Sequence, residues 1–306
     1  MNRLKRKNAV PAAQGVPAAG INQVTWKERL ASYRRDPLSL ALRLVVCLAA
    51  AITAAVLLAL IAYILIRGIP HLKPSLFELH YNSENVSMFP AMVMTLYMTV
   101  LCLLIATPLG VGCAIYLTEY AKRGNKVVEV IRLAAETLSG IPSIVYGLFG
   151  MLFFVTALGW KYSILAGACT LSIMVLPLIL RTTEEALLSV PDSYREGSLA
   201  LGAGKLRTVM KVVLPPASGG IFAGIILATG RIVGETAALI YTAGTVAKIA
   251  LNPMSSGSTL AVHVYVLSGE GLHVGEAYAT AVVLMVIVFL MNALSSWIAK
   301  RCNRNS

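Results

Sequence analysis

The sequence predicts an all-α polytopic protein that crosses a membrane six times. Of its 306 residues, 57% are hydrophobic and only 13% are charged, and the mean hydropathy is +0.75. Soluble domains are about half apolar and about one-quarter charged, so this composition excludes an ordinary soluble domain. Six apolar segments reach or approach the roughly 20 residues that a membrane-spanning helix needs. They lie at about 41–66, 91–116, 133–157, 163–180, 216–240 and 277–298.

The basic residues are distributed unevenly between the two sides of these spans. Nine Lys and Arg residues precede or begin the first span, the alternate loops on that side hold four and five, and the C-terminal tail holds three. The loops on the other side hold only two, one and one. The positive-inside rule therefore predicts that both termini are cytoplasmic. The net charge of +12 is then a topology signal with anionic membrane lipid as its partner, and nucleic acid is not an expected partner.

We expect four segments along the chain. They are a cytoplasmic N-terminal tail (1–36), a first transmembrane helix with an external loop (37–90), a transmembrane domain (91–300) and a short cytoplasmic tail (301–306). The first span is too long for a typical signal-peptide core and is interpreted as an uncleaved anchor. The sequence offers no nucleophile–base pair and no cluster of metal ligands, so we predict neither catalytic residues nor a metal site.

The cytoplasmic loop 181–215 is too polar to span the membrane and too patterned to be a plain linker. Ser193 and Glu196 fit the S-x-x-E capping box of a helix N-terminus. Gly202 is a helix stop. A second amphipathic helix follows and enters the fifth span at Pro215. The pattern predicts a short helix that lies at the membrane surface.

This loop resembles the one shared by permease subunits of ABC importers, whose pattern is E-A-A-x3-G-x9-I-x-L-P. Here Glu196-Gly197-Ser198 is followed by Gly202 and then by Val212-x-Leu214-Pro215, with the spacing kept and Gly-Ser and Val as departures. The resemblance implies that the surface helix docks in a groove of an ATP-hydrolysing subunit. It assigns this coupling to Ser193, Glu196, Gly197, Gly202, Leu214 and Pro215. The alternative is an amphipathic helix that lies on lipid.

The chain contains no G-x4-G-K-[ST] motif. We therefore expect a transport subunit that is not itself an enzyme and binds no cofactor. The resemblance implies that ATP and Mg are held by a partner ATPase.

Two further stretches narrow the resemblance. "LSGIPSIVYGLFG" (138–150) and "GRIVGETAAL" (230–239) are similar to the permeases of phosphate importers, the PstA and PstC pair, and "GETA" followed by "LIYTAG" favours the PstA type. The resemblance implies a five-helix core of the molybdate/maltose permease kind with one extra N-terminal helix. It also implies a bacterial inner-membrane location. The implied partners are a second permease subunit of the PstC type, ATPase subunits of the PstB type and an extracytoplasmic phosphate-binding protein.

Two charged residues stand inside the fifth apolar segment. Arg231 lies 14 residues after Ala217, which is about 21 Å along a helix, so it should be near or past the midplane of the membrane. Glu235 would lie one turn further on the same face. One interpretation is a structural ion pair that joins helices, with Glu136 as a possible third member. The other is an anion pathway, in which the guanidinium of Arg231 binds phosphate oxygens in a planar fork and Glu235 keeps the empty site near neutral.

Ser139 and Ser143 flank Gly140 and Pro142 in the third span. They are predicted to line the pathway with Thr236, because irregular backbone within a membrane is tolerated where it borders a cavity. An ordinary proline kink is the alternative. In the last external loop, Lys248, His263 and His273 are expected to be solvated.

These observations predict the permease subunit of an ATP-driven phosphate importer that forms half of the translocation pathway. Two alternatives remain. One is a permease of the same fold for another oxyanion, such as sulfate, molybdate or phosphonate. The other is an ion-coupled secondary carrier that works alone, against which the loop 181–215 argues.

Overall fold

A computed structural model of the chain describes residues 37–122 and 124–304, and in these residues the structure is helical, with no strand. The described residues belong to two compact units that divide between Ile61 and Ala62. The helices are α1 (Pro37–Gly68), α2 (Phe89–Ile115), α3 (Lys126–Ser139), α4 (Ser143–Gly150), α5 (Ile164–Leu188), α6 (Asp192–Ala200), α7 (Lys205–Thr208), α8 (Leu214–Val233), α9 (Ala237–Ile240), α10 (Leu260–Glu270) and α11 (Val274–Arg304). Most of α1 lies in the first unit, and the other helices lie in the second. Short π-helical segments extend α2 (Tyr116–Tyr120) and α4 (Met151–Ala157) and join α7 to α8 (Val209–Val213).

The number of membrane spans agrees with the prediction. Among the described residues, five helical stretches are long and apolar enough to cross a membrane: α1, α2, α5, α7 with α8, and α11. The pair α3 and α4 makes a sixth when it is taken as one bent span. The all-α polytopic fold class is thereby confirmed.

The third predicted span is broken where its sequence contains Gly140 and Pro142. The axes of the helices on either side differ by 105°, far more than an ordinary proline kink. Proline cannot donate a backbone hydrogen bond and disfavours helical geometry in the residue before it. The Tyr146 hydroxyl donates to the carbonyl of Leu138 at 2.7 Å, which satisfies one acceptor at the end of α3.

Helix α5 is the centre of the second unit and packs against α2, α8, α3 and α4. Two-thirds of its most apolar stretch is buried. The helix continues through Pro177 to Leu188, beyond residue 180, where the apolar segment was predicted to end. The first part of the predicted loop 181–215 is therefore helical, and the non-helical chain begins at Ser189.

The contact between α5 and α8 depends on two glycines one turn apart. A Cβ on Gly220 would lie 2.5 Å from the Cβ of Ala186, and a Cβ on Gly224 would clash with the hydroxyl of Thr182. Small residues at this spacing allow close approach of membrane helices.

The last loop that was predicted to be external is not a solvated segment throughout. Helix α10 buries Leu260, Ala261, Val262, His263 and Leu267. The expectation for His263 was therefore wrong: its side chain is 3% exposed and its ring meets that of Tyr81 edge-on at 5.9 Å. Lys248 is exposed and His273 is half-buried.

Candidate translocation and coupling site

The helix that carries Arg231 ends soon after it. Helix α8 stops at Val233, and Gly234 follows as its C-cap. Glu235 and Thr236 lie in the break before α9. The prediction that Glu235 continues the same helical face was therefore wrong. The Glu235 carboxylate accepts the backbone N–H of Ala238 at 3.2 Å, so it caps the next short helix.

Arg231 instead lines a cavity of about 520 Å³. Its other polar lining residues are Arg132, Arg181, Glu136, Glu184 and Ser139. We call this space the arginine cavity. Its remaining lining is Ala135, Met174, Pro177, Leu178, Leu180 and Leu188. Lining residues of α5 from Met174 to Leu188 follow the helix for about 21 Å. The cavity thus follows α5 to the end of the helix that precedes α6.

Arg132, Arg181 and Glu184 of the arginine cavity are in ion pairs. Within the described residues, Arg231 and Glu136 are in none. Arg132 forms an ion pair of 2.5 Å with Glu184, and Arg181 forms one of 3.2 Å with Glu185. Within residues 37–122 and 124–304, no ion pair of 4.0 Å or less joins Arg231 to a carboxylate. The interpretation of Arg231 as a member of a structural ion pair with Glu235 or Glu136 was therefore wrong.

The other predicted pathway residues are only partly brought together. Ser139 and Glu136 line the arginine cavity with Arg231. Ser143, Glu235 and Thr236 are half-buried and lie outside its lining. The sequence analysis did not predict Arg132 and Arg181 as pathway residues, because their place in the cavity depends on how α3 packs on α5.

The predicted surface helix exists and is α6. It begins at Asp192, after Pro191, and no side chain caps its N-terminus. The capping role predicted for Ser193 was wrong, since this residue lies inside the first turn. Glu196 and Gly197 lie on the helix and are exposed.

Gly202 ends the surface segment with a left-handed backbone (φ +81°), a conformation that glycine adopts without steric cost. Leu214 and Pro215 form the first turn of α8. The chain from Lys205 to Val233 is one continuous helical span. The surface helix is therefore separated from a transmembrane span by a single tight turn.

Arg195 attaches α6 to the ends of two spans, a contact that the sequence pattern did not predict. Its Nε and Nη2 donate to Oε1 of Glu119 at 3.0 and 2.8 Å, and Glu119 lies in the π-helical end of α2. Nη2 also donates to the carbonyl of Leu187 at 2.8 Å, and Nη1 donates to that of Val190 at 2.7 Å. The hydrogen bonds to Glu119 raise the pKa of Arg195, against the effect of its partial burial.

The sequence of the chain is similar to those of known transport proteins. Residues 106–304 match the family model of the binding-protein-dependent transport system inner membrane component. The probable ABC transporter permease protein YqgI of Bacillus subtilis is 38% identical over 270 residues, which cover 82% of this chain and 91% of that protein. The phosphate transport system permease protein PstA 1 of Mycobacterium tuberculosis (strain H37Rv) is 33% identical over 213 residues, covering 69% of this chain and 68% of that protein.

Two solved structures show the same fold at low sequence identity. A bacterial alginate ABC transporter matches with a TM-score of 0.65 at 13% identity, covering 89% of this chain and 97% of that one. The MetNI methionine ABC transporter in an inward-facing conformation matches with a TM-score of 0.56 at 21% identity, covering 70% and 94%. At these identities the likeness concerns the fold.

Proposed function

Since the chain belongs to the binding-protein-dependent transport system inner membrane component family, a family of multi-pass ABC transporter permeases, we propose that it is the permease subunit of an ATP-driven importer of inorganic phosphate. Permeases of this family work with ATPase and substrate-binding partners. The proposed partners are a second permease subunit of the PstC type, ATPase subunits of the PstB type and an extracytoplasmic phosphate-binding protein. ATP and Mg would be bound in the ATPase subunits.

The observation that carries this proposal is the unpaired Arg231 in the arginine cavity. An anion that leaves water for a membrane interior loses much of its hydration, and a fixed positive charge offsets that cost. The guanidinium adds a planar fork that matches two phosphate oxygens. Ionisable residues within membrane spans are rare and usually mark a transport path.

The choice of phosphate among oxyanions is supported by the relatives and by one carboxylate. PstA proteins appear by name among the relatives. Glu136 lines the cavity with Arg231 and could accept a hydrogen bond from a protonated phosphate oxygen. Sulfate carries no proton near neutral pH and would only be repelled. The same-fold permease for sulfate, molybdate or phosphonate remains the second candidate.

The proposed coupling contact is the exposed side of α6. Glu196 and Gly197 are exposed there, and Leu199 and Leu201 are 51% and 91% exposed. Apolar side chains next to a charge on a rigid, exposed helix suit a groove on a partner protein. The ATPase is the partner that ATP-driven transport requires, whereas a secondary carrier has no use for this surface. The proposed orientation has α6 and both termini in the cytoplasm, as the positive-inside rule predicts.

The test is phosphate uptake by Arg231→Gln in a complex that runs without its binding protein, so that selection by the binding protein does not mask the effect. We expect the variant to assemble with its ATPase and to lose most uptake, and Arg231→Lys to recover part of it, because lysine keeps the charge but not the fork. Lys248→Gln removes an exposed charge outside the cavity and is the matched control. Uptake by Arg231→Gln at the parent rate would disprove the pathway role, and so would loss of the variant from the membrane.

A further inference from the structure

Every N–H group of the Arg195 guanidinium has an acceptor. The Nε–H and one Nη2–H point to Glu119, the other Nη2–H to the Leu187 carbonyl, and Nη1 donates to the Val190 carbonyl and to Asp192 Oδ1, the last at 3.2 Å. We call these five residues the Arg195 network. A guanidinium has five N–H donors in a fixed plane, so this arrangement uses its full capacity.

The ion pair at the centre of this network, Arg195 with Glu119, is largely shielded from water, whereas Asp192 at its rim is 72% exposed. The side chains of Arg195 and Glu119 are 17% and 7% exposed. The pair Arg181–Glu185 is 66% and 67% exposed, as is typical of pairs that contribute little. Removing one partner from a shielded pair leaves the other charge unsatisfied, which is far more costly than losing an exposed pair.

The network joins the surface helix to two spans that are distant in sequence. Glu119 ends the second span, Leu187 ends α5, and Arg195 stands in the middle of α6. The ends of these two spans share a buried apolar cluster that includes Leu117, Leu187 and Val213. Movement of α6 would thus be transmitted directly to α2 and α5, and not only through the chain connection at Gly202.

A second contact connects α6 to the following helix. The hydroxyls of Ser198 and Thr208 are 2.9 Å apart. The contact joins two neutral groups. Thr208 ends α7, which continues through the π-helical segment into α8, the helix that carries Arg231. The charged network and the hydroxyl contact lie about one turn apart on α6 and connect it to different spans.

We propose that Arg195 is the positioning residue that transmits the movement of the ATPase-bound surface helix to the spans α2 and α5. The proposal rests on the proposed function, because it takes α6 to be the coupling contact. It assigns to Arg195 and Glu119 a role separate from ATPase docking, which falls to the exposed side of α6. Their loss should leave the complex assembled but allow ATP hydrolysis without transport.

The test compares two Arg→Lys substitutions in the same loop. Arg195→Lys keeps the positive charge but has three donors on a point charge in place of the planar fork, so it cannot replace all five hydrogen bonds. Arg207→Lys changes an exposed arginine of α7 and is the control. In purified complex reconstituted into vesicles, the measured quantity is phosphate transported per ATP hydrolysed. We expect this ratio to fall about fivefold or more in Arg195→Lys, as for a buried polar group left unpaired, and to be unchanged in Arg207→Lys.

A second variant keeps the test decisive if Arg195→Lys does not accumulate. Glu119→Gln keeps the shape and one acceptor oxygen, and it should also lower the ratio while the ATPase remains bound. An unchanged ratio in either variant would overturn the proposal, and so would failure of both variants to assemble when Arg207→Lys assembles, because the network would then serve folding alone. If the unmodified complex takes up no phosphate with ATP, the proposed function fails and this proposal fails with it.

Discussion

Gly147 in α4 lies directly against the backbone of Ala238 in α9. A Cβ on Gly147 would be 2.8 Å from the Cα of Ala238 and 3.1 Å from the carbonyl oxygen of Ala237. The two helices belong to the segments 138–150 and 230–239, which the sequence had singled out separately. Their contact places the break of the third span next to the break after α8, so that the irregular backbone of both spans is concentrated in one region.

We predict that Gly147→Ala destabilises this region. The atoms in the way are backbone atoms, which cannot rotate aside, and overpacking of this kind costs about 1–3 kcal/mol. The expected result is a lower melting temperature of the purified complex. Gly112→Ala is the control, since a Cβ there meets nothing within 4 Å, and it should not lower the melting temperature. Equal melting temperatures for the two variants would contradict the tight contact.

Two glycines of the coupling loop, Gly202 and Gly204, allow the effect of backbone conformation to be tested separately from the effect of added side-chain volume. Gly202 has φ +81°, whereas Gly204 has φ −70° and ψ 156°, and a Cβ at either position has open space around it. Gly202→Ala must hold alanine in a left-handed conformation at a cost of roughly 1–2 kcal/mol, or shift α6. We expect less ATPase to co-purify with Gly202→Ala and the normal amount with Gly204→Ala. Normal amounts with both would show that the turn after α6 has no part in docking.

The proposed orientation predicts which residues an impermeant thiol reagent can reach from outside the cell. Leu251 and Leu201 are equally exposed, each at 91%, and lie on opposite predicted sides. In a chain whose native cysteines are replaced, Leu251→Cys should be labelled in intact cells. Leu201→Cys should be labelled only after the membrane is dissolved in detergent. Labelling of Leu201→Cys in intact cells would reverse the topology.

The sequence predicted the parts of this fold that depend on local apolar content. The spans were visible because burial in lipid requires long apolar runs, and the break between Ser139 and Ser143 was visible because proline and glycine act locally. The end of α8 at Val233 was missed, because the apolar run continues to Tyr241 while the backbone departs from helix where α9 packs on α4. The extension of α5 to Leu188 was missed for the opposite reason: its polar end includes Glu184, which is paired with Arg132 of α3.

The candidate site also contains residues that the sequence predicted and residues that it did not. Arg231 was recognised because a charge in an apolar run is conspicuous by itself. The contact between Glu119 and Arg195 links residues 76 positions apart, and no periodic pattern connects them. Arg132 and Arg181 likewise reach the arginine cavity through packing between helices. A charged residue at the end of a span is ordinary in sequence, and only the fold determines its partner.

Buried His263 predicts a pH dependence of stability. Burial lowers the pKa of His263, and a hydrogen bond to the Val86 backbone and the charge of Glu270 act in the opposite direction. An unfolded histidine titrates near pH 6.5, so between that pH and the lower folded pKa the unfolded chain binds more protons. The stability that neutral His263 contributes is therefore present above about pH 6.5 and is lost as the pH falls toward the folded pKa.

The measurement is the melting temperature of the purified complex between pH 7.5 and 5.5. We expect His263→Gln, which does not titrate, to show a smaller decrease on acidification than the parent. His80→Gln is the control, because His80 is exposed. A parent and a His263→Gln variant with the same pH dependence would show that the buried ring is not the group that titrates.

The carboxylate that distinguishes phosphate from sulfate should be Glu136, and not Glu235, which the sequence had placed beside Arg231. Glu136 lines the arginine cavity with Arg231, while the carboxylate of Glu235 is occupied by the Ala238 N–H.

A glutamine at position 136 can donate a hydrogen bond, so it no longer repels a fully deprotonated anion. A glutamine at position 235 keeps an acceptor oxygen for the N–H that it caps. In a complex that runs without its binding protein, Glu136→Gln should therefore raise the ratio of sulfate to phosphate uptake by about fivefold, the effect of one hydrogen bond of about 1 kcal/mol. Glu235→Gln should leave that ratio unchanged. The reverse outcome, with selectivity lost in Glu235→Gln and kept in Glu136→Gln, would place the anion at the break after α8 and outside the arginine cavity.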